Sequence, residues 1–345
     1  MGRPHRTGLA LLALLWAAGC VSLAPRSRTP SPEARVVPGM PLATFDEDRC
    51  GAGSLALVLS AHGETHAAGE LEALLPEVPG RGVLSVDMLL AARARGFDAA
   101  LATGSAAALR GELSAGRPAI LMLRLLDAPG ARRDVYHYVV ADGIDPQRGL
   151  FRFQFGDGQA RWAPLDSLER SWRPAGHALL VARPRAETDA TLARAVGLER
   201  EGRHAEAEAL YREVLAVRPE SVRAWVNLGN VAAGQERRAD AEAAYRRALA
   251  LDPADRDGLN NLAWLLLEEG ARLEEAEALA ARAAEQPGPE RPAALDTLGR
   301  VQLARGRCAD AARTLGEALA ADSLAEETRT GLQQALQRAE ACGPR

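Results

Sequence analysis

Three residues of this chain have types and positions that suit nucleophilic chemistry. Cys50 opens an apolar run typical of a helix, His137 stands in an apolar run typical of a strand, and Asp157 follows in a glycine-flanked turn. A thiol at a helix N-terminus is exposed to the positive end of the helix macrodipole, which favours the nucleophilic thiolate. A histidine that accepts the thiol proton, held by a carboxylate, would complete an activated nucleophile.

The helices and strands that must position these residues form a mixed α/β region over residues 41–184. Apolar periodicity, capping residues and glycine stops predict its helices, which cover residues 51–61, 67–75, 85–95 and 106–115. A buried strand and a meander punctuated by turns come next, and these strands cover residues 119–124, 136–141, 150–154, 159–162 and 178–182. Helices first and antiparallel strands later are typical of an α+β domain.

From about residue 187 the chain is rich in Ala, Leu, Glu and Arg and has a period of 34 residues. Pro219, Pro253 and Pro287 follow this period. A 34-residue period with prolines between helical units is the signature of tetratricopeptide repeats. We expect an all-α solenoid of about four repeats over residues 187–322, followed by a capping helix and tail over residues 323–345. Such arrays bind peptide segments of a protein partner in a concave groove; the alternative is that they only space the molecule.

The N-terminus has the pattern of an export signal. Basic residues precede a short apolar run that ends in Ala17-Ala18-Gly19-Cys20, and this end resembles the lipobox of bacterial lipoproteins. The resemblance implies a signal peptide over residues 1–20, lipidation of Cys20 and a place on the periplasmic side of the outer membrane. A plain secretory signal or an uncleaved anchor is the alternative. Residues 21–40 are rich in Pro, Ser and Arg and predict a flexible tether.

Composition limits the other classes of function. The chain has 345 residues, of which 47% are hydrophobic and 26% charged, and its net charge is −4. All 42 basic residues are Arg, dispersed and balanced by acids, which argues against nucleic-acid binding. The four cysteines show no zinc-ligand spacing, and we expect no metal or cofactor. With Cys20 and Cys50 set aside, Cys308 and Cys342 remain, either as a disulfide in an exported protein or as two unpaired thiols.

The region over residues 41–184 resembles the papain-like peptidases that cleave double-glycine leader peptides, in the form carried by bacterial lipoproteins with tetratricopeptide repeats. Three motifs carry the resemblance: Cys50-Gly51 with the run from Ser54 to Leu59, the block from Leu84 to Gly96, and His137-Tyr138-Val139-Val140-Ala141-Asp142-Gly143. The resemblance implies an α+β papain-like cysteine peptidase domain in front of the repeat solenoid. It also implies a peptide or protein substrate and a membrane contact through the lipid anchor.

The same resemblance implies roles for the site residues. Cys50 would be the nucleophile and His137 the general base and later general acid, with a residue after the next strand orienting the imidazole. Asp157 is the first candidate for the orienting role. Gln154 is the runner-up, and Asp145 lies in the preceding turn. Asp157 also fits an ordinary hairpin turn, because it stands between two glycines.

One departure from the family concerns the oxyanion. The family carries a Gln five or six residues before the Cys, and its side-chain amide donates to the oxyanion, whereas Thr44 and Phe45 stand at these positions here. Loss of a single oxyanion donor costs about 10²–10³ in rate in other enzymes. The sequence therefore predicts an envelope-anchored cysteine peptidase acting on peptides. The alternatives are a catalytically inactive binding protein of the same fold and a scaffold that acts chiefly through its repeats.

Overall fold

The computed structural model of the protein describes residues 24–45, 49–64, 71, 75, 85–125, 135–270, 272–321 and 324–342. The chain forms two units that divide at Asp189. No helix within the described ranges is long and apolar enough to cross a membrane. The predicted signal peptide with Cys20, and the predicted helix over residues 67–75 apart from Leu71 and Leu75, lie outside the described residues.

The first unit is an antiparallel sheet with helices on both faces. Its described elements are β1 (Arg35–Val36), α1 (Cys50–Ser60), α2 (Ser85–Ala94), β2 (Phe97–Thr103), α3 (Ala106–Ser114), β3 (Ala119–Leu125), β4 (Val135–Asp145), β5 (Leu150–Gln154), β6 (Ala160–Ala163), α4 (Glu169–Trp172) and β7 (Ala178–Pro184). The strand order is β2-β7-β3-β4-β5-β6, and β1 pairs with β4. Helices and antiparallel strands thus occur together in this unit, as the sequence predicts. The short strand β1 and the edge strand β2 are additions to the predicted elements.

Side-chain alternation gives this sheet two apolar faces. On one face, Tyr138 and Val140 of β4 share a buried cluster with Leu55 of α1. On the other face, Val139 shares a second cluster with Trp172 of α4. Burial on both faces is the reason why β4 has a continuous apolar run rather than an alternating pattern.

The segment predicted to be a flexible tether is ordered from Ser27 onward and lies along the sheet. The Arg28 N–H donates to the backbone oxygen of Trp162 at 2.7 Å. Ser31 donates through its N–H and its hydroxyl to the carboxylate of Asp145, at 2.6 and 2.7 Å. We call residues 27–45 the N-terminal strap. The strap includes much of the segment predicted to be a flexible tether, and its polar groups find partners on strands that are distant in sequence.

The second unit is helical throughout its described residues. Its helices are α5 (Arg185–Arg200, which begins just before the division), α6 (His204–Val217), α7 (Val222–Gly234), α8 (Arg238–Leu251), α9 (Arg256–Glu269), α10 (Leu273–Ala284), α11 (Arg291–Ala304), α12 (Cys308–Leu319) and α13 (Glu326–Ala341). They follow one another as four helix pairs and a final single helix. This order agrees with the four repeats and the capping helix that the 34-residue period predicts.

Small residues let the paired helices approach each other. A Cβ on Gly299 of α11 would lie 2.5 Å from the side chain of Leu315 on α12, so only glycine fits there without a shift of its neighbour. Cys308 and Cys342 form a disulfide that joins the start of α12 to the residue after α13. The final helix is therefore covalently linked to the preceding repeat.

Candidate functional site

Cys50 is the first residue of α1, and only 6% of its surface is exposed. It is a thiol rather than half of a disulfide. The first turn of α1 contains no acidic residue. The helix macrodipole therefore favours the thiolate without an opposing carboxylate in that turn, whereas burial of the thiol acts in the opposite direction.

Tyr138 of β4 lies on the sheet face that packs against α1. Ser54, one turn after Cys50, donates its hydroxyl to the backbone oxygen of Tyr138 at 3.5 Å. The phenol of Tyr138 shares a hydrogen bond with the hydroxyl of Ser85 on α2 at 3.0 Å. Burial raises the pKa of Tyr138, the hydrogen bond with Ser85 lowers it in part, and a thiolate at Cys50 would raise it because two anions repel each other. Tyr138 is therefore protonated at neutral pH.

His137 is buried in β4, where it is paired with Leu123 of β3. Successive side chains of a strand point to opposite faces, so His137 shares the face of Val139 rather than that of Tyr138. The structure brings the elements of Cys50 and His137 together. The residues of β4 that share a buried cluster with Cys50 are Tyr138 and Val140. The Cys50–His137 pair stays a prediction.

Asp157 lies in the turn between β5 and β6. The register of β4 and β5 ends at the pair of Val140 with Gln154, and Asp157 follows Gly156, whose φ is 80°. The Asp157 carboxylate accepts two hydrogen bonds from Arg161 of β6, at 2.6 and 3.1 Å. These bonds hold the pKa of Asp157 below its ordinary value. Asp157 is therefore an ionised carboxylate paired with Arg161, and its orienting role toward His137 stays a prediction.

Gln154 and Asp145, the two other candidates for the orienting role, form hydrogen bonds with the strap. The amide of Gln154 accepts from the Ala43 N–H at 3.4 Å and donates to the backbone oxygen of Pro41 at 3.2 Å. It also donates to the buried carboxylate of Asp142 at 2.6 Å. Asp145 accepts both hydrogen bonds of Ser31, as described above. All three candidates therefore have partners of their own, Gln154 and Asp145 on the strap and Asp157 at Arg161, and the orienting role of Asp157 stays a prediction.

The positions that hold a glutamine in the peptidase family fall on the strap. Thr44 forms an isolated antiparallel bridge with Asp157, and the Phe45 N–H donates to the backbone oxygen of Gly156 at 3.0 Å. The ring of Phe45 lies between α1 and the end of β5, since a Cβ on Gly53 would be 2.4 Å from it and one on Gly156 2.2 Å. Phe45 therefore packs α1 onto the sheet and offers no side-chain donor to an oxyanion.

A second candidate site lies in the second unit, along the first helices of its repeats. Asn227 of α7 donates to the hydroxyl of Tyr211 at 3.1 Å, and Asn261 of α9 donates to Asn230 of α7 at 2.9 Å. We call Asn227, Asn230 and Asn261 the asparagine row. All three are half-buried. Each amide can donate and accept, so the row suits the backbone of an extended peptide.

Two cavities open along the same helices. One has a volume of about 760 Å³ and includes Glu199, Arg200 and Asn227 in its lining. The other has a volume of about 340 Å³ and includes Trp264 and Arg300. We call the surface of α7, α9, α11 and α13 that contains the row and these openings the groove. Across the described part of the chain, no group of three or more His, Cys, Asp or Glu could hold a metal ion.

The sequence analysis did not identify the residues of the groove. A usable signal was present, because Asn227 and Asn261 are 34 residues apart, as are Asn230 and Trp264. Residues separated by one period occupy equivalent positions in successive repeats. Polar or aromatic residues that recur at equivalent positions of the first helices therefore point to the groove.

The second unit is similar to known repeat proteins. A family model described as the middle TPR-like domain of cilia and flagella-associated protein 70 matches residues 191–336. Pseudomonas aeruginosa PilF is 25% identical with a TM-score of 0.41, over 47% of this chain and 80% of that chain. PilW, described as a widely conserved type IV pilus biogenesis factor, is 21% identical with a TM-score of 0.39. This match covers 45% of this chain and 74% of that chain.

No curated protein matches the chain in sequence. The second unit is a tetratricopeptide-like solenoid, as the 34-residue period predicts. Repeats of this kind suggest an interaction with another protein.

Proposed function

We propose that this protein binds an extended peptide segment of a protein partner in the groove of its second unit. The asparagine row carries the proposal. An extended segment exposes backbone N–H and C=O groups at each residue, and amide side chains can donate to one and accept from the other. The hydrogen bonds among Asn230, Asn261 and Tyr245 hold the row in place before a peptide arrives, which lowers the entropic cost of binding.

A selection of displayed random 12-residue peptides against the full chain tests this proposal. The affinity of the selected peptides is then measured by fluorescence anisotropy. The double variant Asn227→Ala/Asn261→Ala should bind about tenfold or more weakly, because each amide hydrogen bond contributes about 0.5–1.5 kcal/mol. Gln333→Ala, an exposed amide on α13 outside the cavity linings, is the control and should bind normally. Equal affinities for the double variant and the unchanged chain would contradict the proposal.

For the first unit we propose a second function, that of a papain-like cysteine peptidase acting on peptides. The position of Cys50 at the N-terminus of α1, which packs against β4, supports it. The mechanism also requires the His137 imidazole to reach the thiol, which strand alternation does not favour. In this mechanism the Cys50 thiolate attacks the carbonyl carbon of the scissile bond, and His137 gives its proton to the leaving amine. Water, activated by His137, then releases the acyl group from the sulfur. Asp157 would orient the imidazole.

Phe45 limits the activity that this site could have. The backbone N–H of Cys50 would be one oxyanion donor, and the side-chain donor that the family supplies is absent at residue 45. We therefore expect a rate about 10²–10³ below that of a peptidase with the glutamine. A catalytically inactive binding or scaffold protein of the same fold is the alternative.

The pH dependence of alkylation at Cys50 distinguishes a peptidase from an inactive protein of the same fold. It is read by peptide mass spectrometry on the full chain. A peptidase should show an apparent thiol pKa well below the free value of about 8.5, and His137→Ala should restore the ordinary value. Tyr138→Phe is the matched control, because it removes the titratable neighbour on the α1 face and leaves His137 in place. An ordinary thiol that is insensitive to His137→Ala would contradict the peptidase.

We further propose that the protein is exported and anchored by a lipid on Cys20, on the periplasmic side of the outer membrane. The lipobox-like end of the apolar run supports this, and so does the Cys308–Cys342 disulfide, since disulfides persist in oxidising compartments. Mass spectrometry of the N-terminal peptide from envelope fractions should find Cys20 as a lipid-modified first residue. An uncleaved signal or an unmodified Cys20 would contradict the proposal.

A further inference from the structure

The smaller cavity of the groove lies between α9, α11 and α13, and we call it the Trp264 pocket. Leu267 and Leu303 contribute an apolar lining beside Trp264, and the charged residues of the lining are Glu268, Arg300 and Arg338. Its volume of about 340 Å³ is at the lower end of the range for ligand pockets. A cavity of this size suits one large side chain rather than a cofactor.

Trp264 leaves a large apolar surface open to solvent. It is 37% exposed, whereas Trp172 of the first unit is 2% exposed. Its indole N–H already donates to Glu268 at 2.9 Å, and the guanidinium of Arg300 lies over the ring, 5.8 Å from its centroid. The polar edge of the indole is therefore satisfied, and what remains to be covered is apolar. Aromatic residues exposed in a concave site are typical binding anchors.

The lining of the pocket contains two cations, Arg300 and Arg338, and one anion, Glu268. Arg300 donates to Asp296 at 2.6 Å and to the backbone oxygen of Gly331 at 3.2 Å. Glu268 accepts from Trp264. Arg338 is exposed and forms no ion pair with any residue that the structure describes. An anionic group on a bound segment would therefore find its partner at Arg338.

We propose that the Trp264 pocket sets the specificity of the groove. It takes a bulky apolar side chain of the bound segment, aromatic or leucine-like, together with an Asp or Glu within two residues that pairs with Arg338. This inference rests on the proposed peptide binding in the groove. Asn261 lies three residues before Trp264 on α9, so both side chains share one face of the helix. A segment held by the asparagine row therefore continues to the pocket.

The test uses the peptides selected on the full chain, and two variants of the pocket. The selected peptides should share an apolar residue with an acidic residue close by. Trp264→Ala should weaken their binding about thirtyfold, the effect of losing an aromatic hot spot, and Trp264→Phe should retain most of it. Arg338→Ala should weaken binding about threefold, the size of an exposed ion pair. Arg338→Ala should leave the affinity unchanged for peptides in which Asp or Glu is replaced by Asn or Gln.

The control for charge is Arg329→Ala. Arg329 lies nine residues before Arg338 on α13, which places it on the opposite side of that helix. This variant removes one positive charge from the same helix and should bind peptides normally. An equal loss of affinity in the Arg329 and Arg338 variants would overturn the pairing of Arg338 with the acidic residue of the peptide. Such a result would mean that only the net charge of the helix affects binding.

The remaining outcomes are distinct. Normal affinity in Trp264→Ala, combined with weak binding by Asn227→Ala/Asn261→Ala, would overturn the pocket and leave groove binding intact. Loss of binding on amidation of the peptide C-terminus, with no effect of the acidic side chain, would overturn the assignment of the anion. Failure of every displayed peptide to bind would overturn the pocket and the proposed function together.

Discussion

Gly229 of α7 lies directly against Tyr245 of α8, so that a Cβ on Gly229 would come within 2.4 Å of the tyrosine ring. Tyr245 is 3% exposed, and its hydroxyl donates to Asn230 at 2.9 Å. The ring is thus held by packing on one side and by a hydrogen bond at its tip. One contact between two helices therefore both packs the repeat and positions a member of the asparagine row.

Replacement of Gly229 tests this packing. Gly229→Ala should lower the free energy of unfolding by about 1–3 kcal/mol, the usual cost of overpacking, although alanine has the higher helix propensity. Gly316→Ala on α12 is the matched control, since no atom lies within 4 Å of its Cβ position, and it should stabilise by up to about 1 kcal/mol. Urea unfolding followed by circular dichroism measures both. Effects of the same sign would contradict this account of the contact.

The repeat contact and most strands could be predicted from the sequence because their signals are local or periodic. Gly229 and Tyr245 fall on the repeat pattern, and β5 has the predicted bounds of residues 150–154. The strap could not be predicted in this way. Ser31 and Asp145 are 114 residues apart, and a polar pair at that separation leaves no trace in local composition. The strap therefore has the composition of a linker and the structure of an edge segment.

Part of the candidate site in the first unit could also be predicted from the sequence. The bounds of α1 and the place of His137 on a strand follow from apolar patterns near each residue. The role of Phe45 does not, because it depends on the contact of its ring with Gly53 and Gly156, and Gly156 is distant in sequence. The strand face of His137 was accessible from alternation, but only once the face that packs on α1 was known.

The Cys308–Cys342 disulfide should stabilise the second unit. It closes a loop with a sequence separation of 34, for which about 2–4 kcal/mol is typical. A reductant should therefore lower the urea midpoint of the unchanged chain. The double variant Cys308→Ser/Cys342→Ser should unfold at the lowered midpoint with or without reductant. A midpoint that the reductant leaves unchanged in the wild-type chain would contradict a stabilising disulfide.

Glu242 should make the stability of the repeats depend on pH in the acid range. Its carboxylate accepts from Arg272 at 2.7 and 2.9 Å and from Arg246 at 2.8 Å. The hydrogen bonds from Arg272, and then those from Arg246, lower the pKa of Glu242 from 4.5 to about 2. Because the folded state favours the ionised form, the contribution of Glu242 is complete above pH 4.5 and is lost as the pH falls towards 2.

Glu242→Gln should remove that contribution, about 0.5–1 kcal/mol for a partly exposed ion pair. The unfolding free energy of the variant should therefore fall less steeply between pH 4.5 and pH 2 than that of the unchanged chain. Glu285→Gln, at an exposed glutamate after α10, should leave the pH dependence unchanged. Parallel curves for Glu242→Gln and the unchanged chain would show that the ion pairs of Glu242 do not contribute.

Amide hydrogen exchange of the full chain, with and without a selected peptide, tests the proposed binding most directly. A peptide in the groove should increase the protection of α7, α9, α11 and α13, whose side chains line it. The second helices of the same repeats, α8, α10 and α12, should exchange at unchanged rates. Protection confined to the first unit, or to α8, α10 and α12, would contradict binding in the groove.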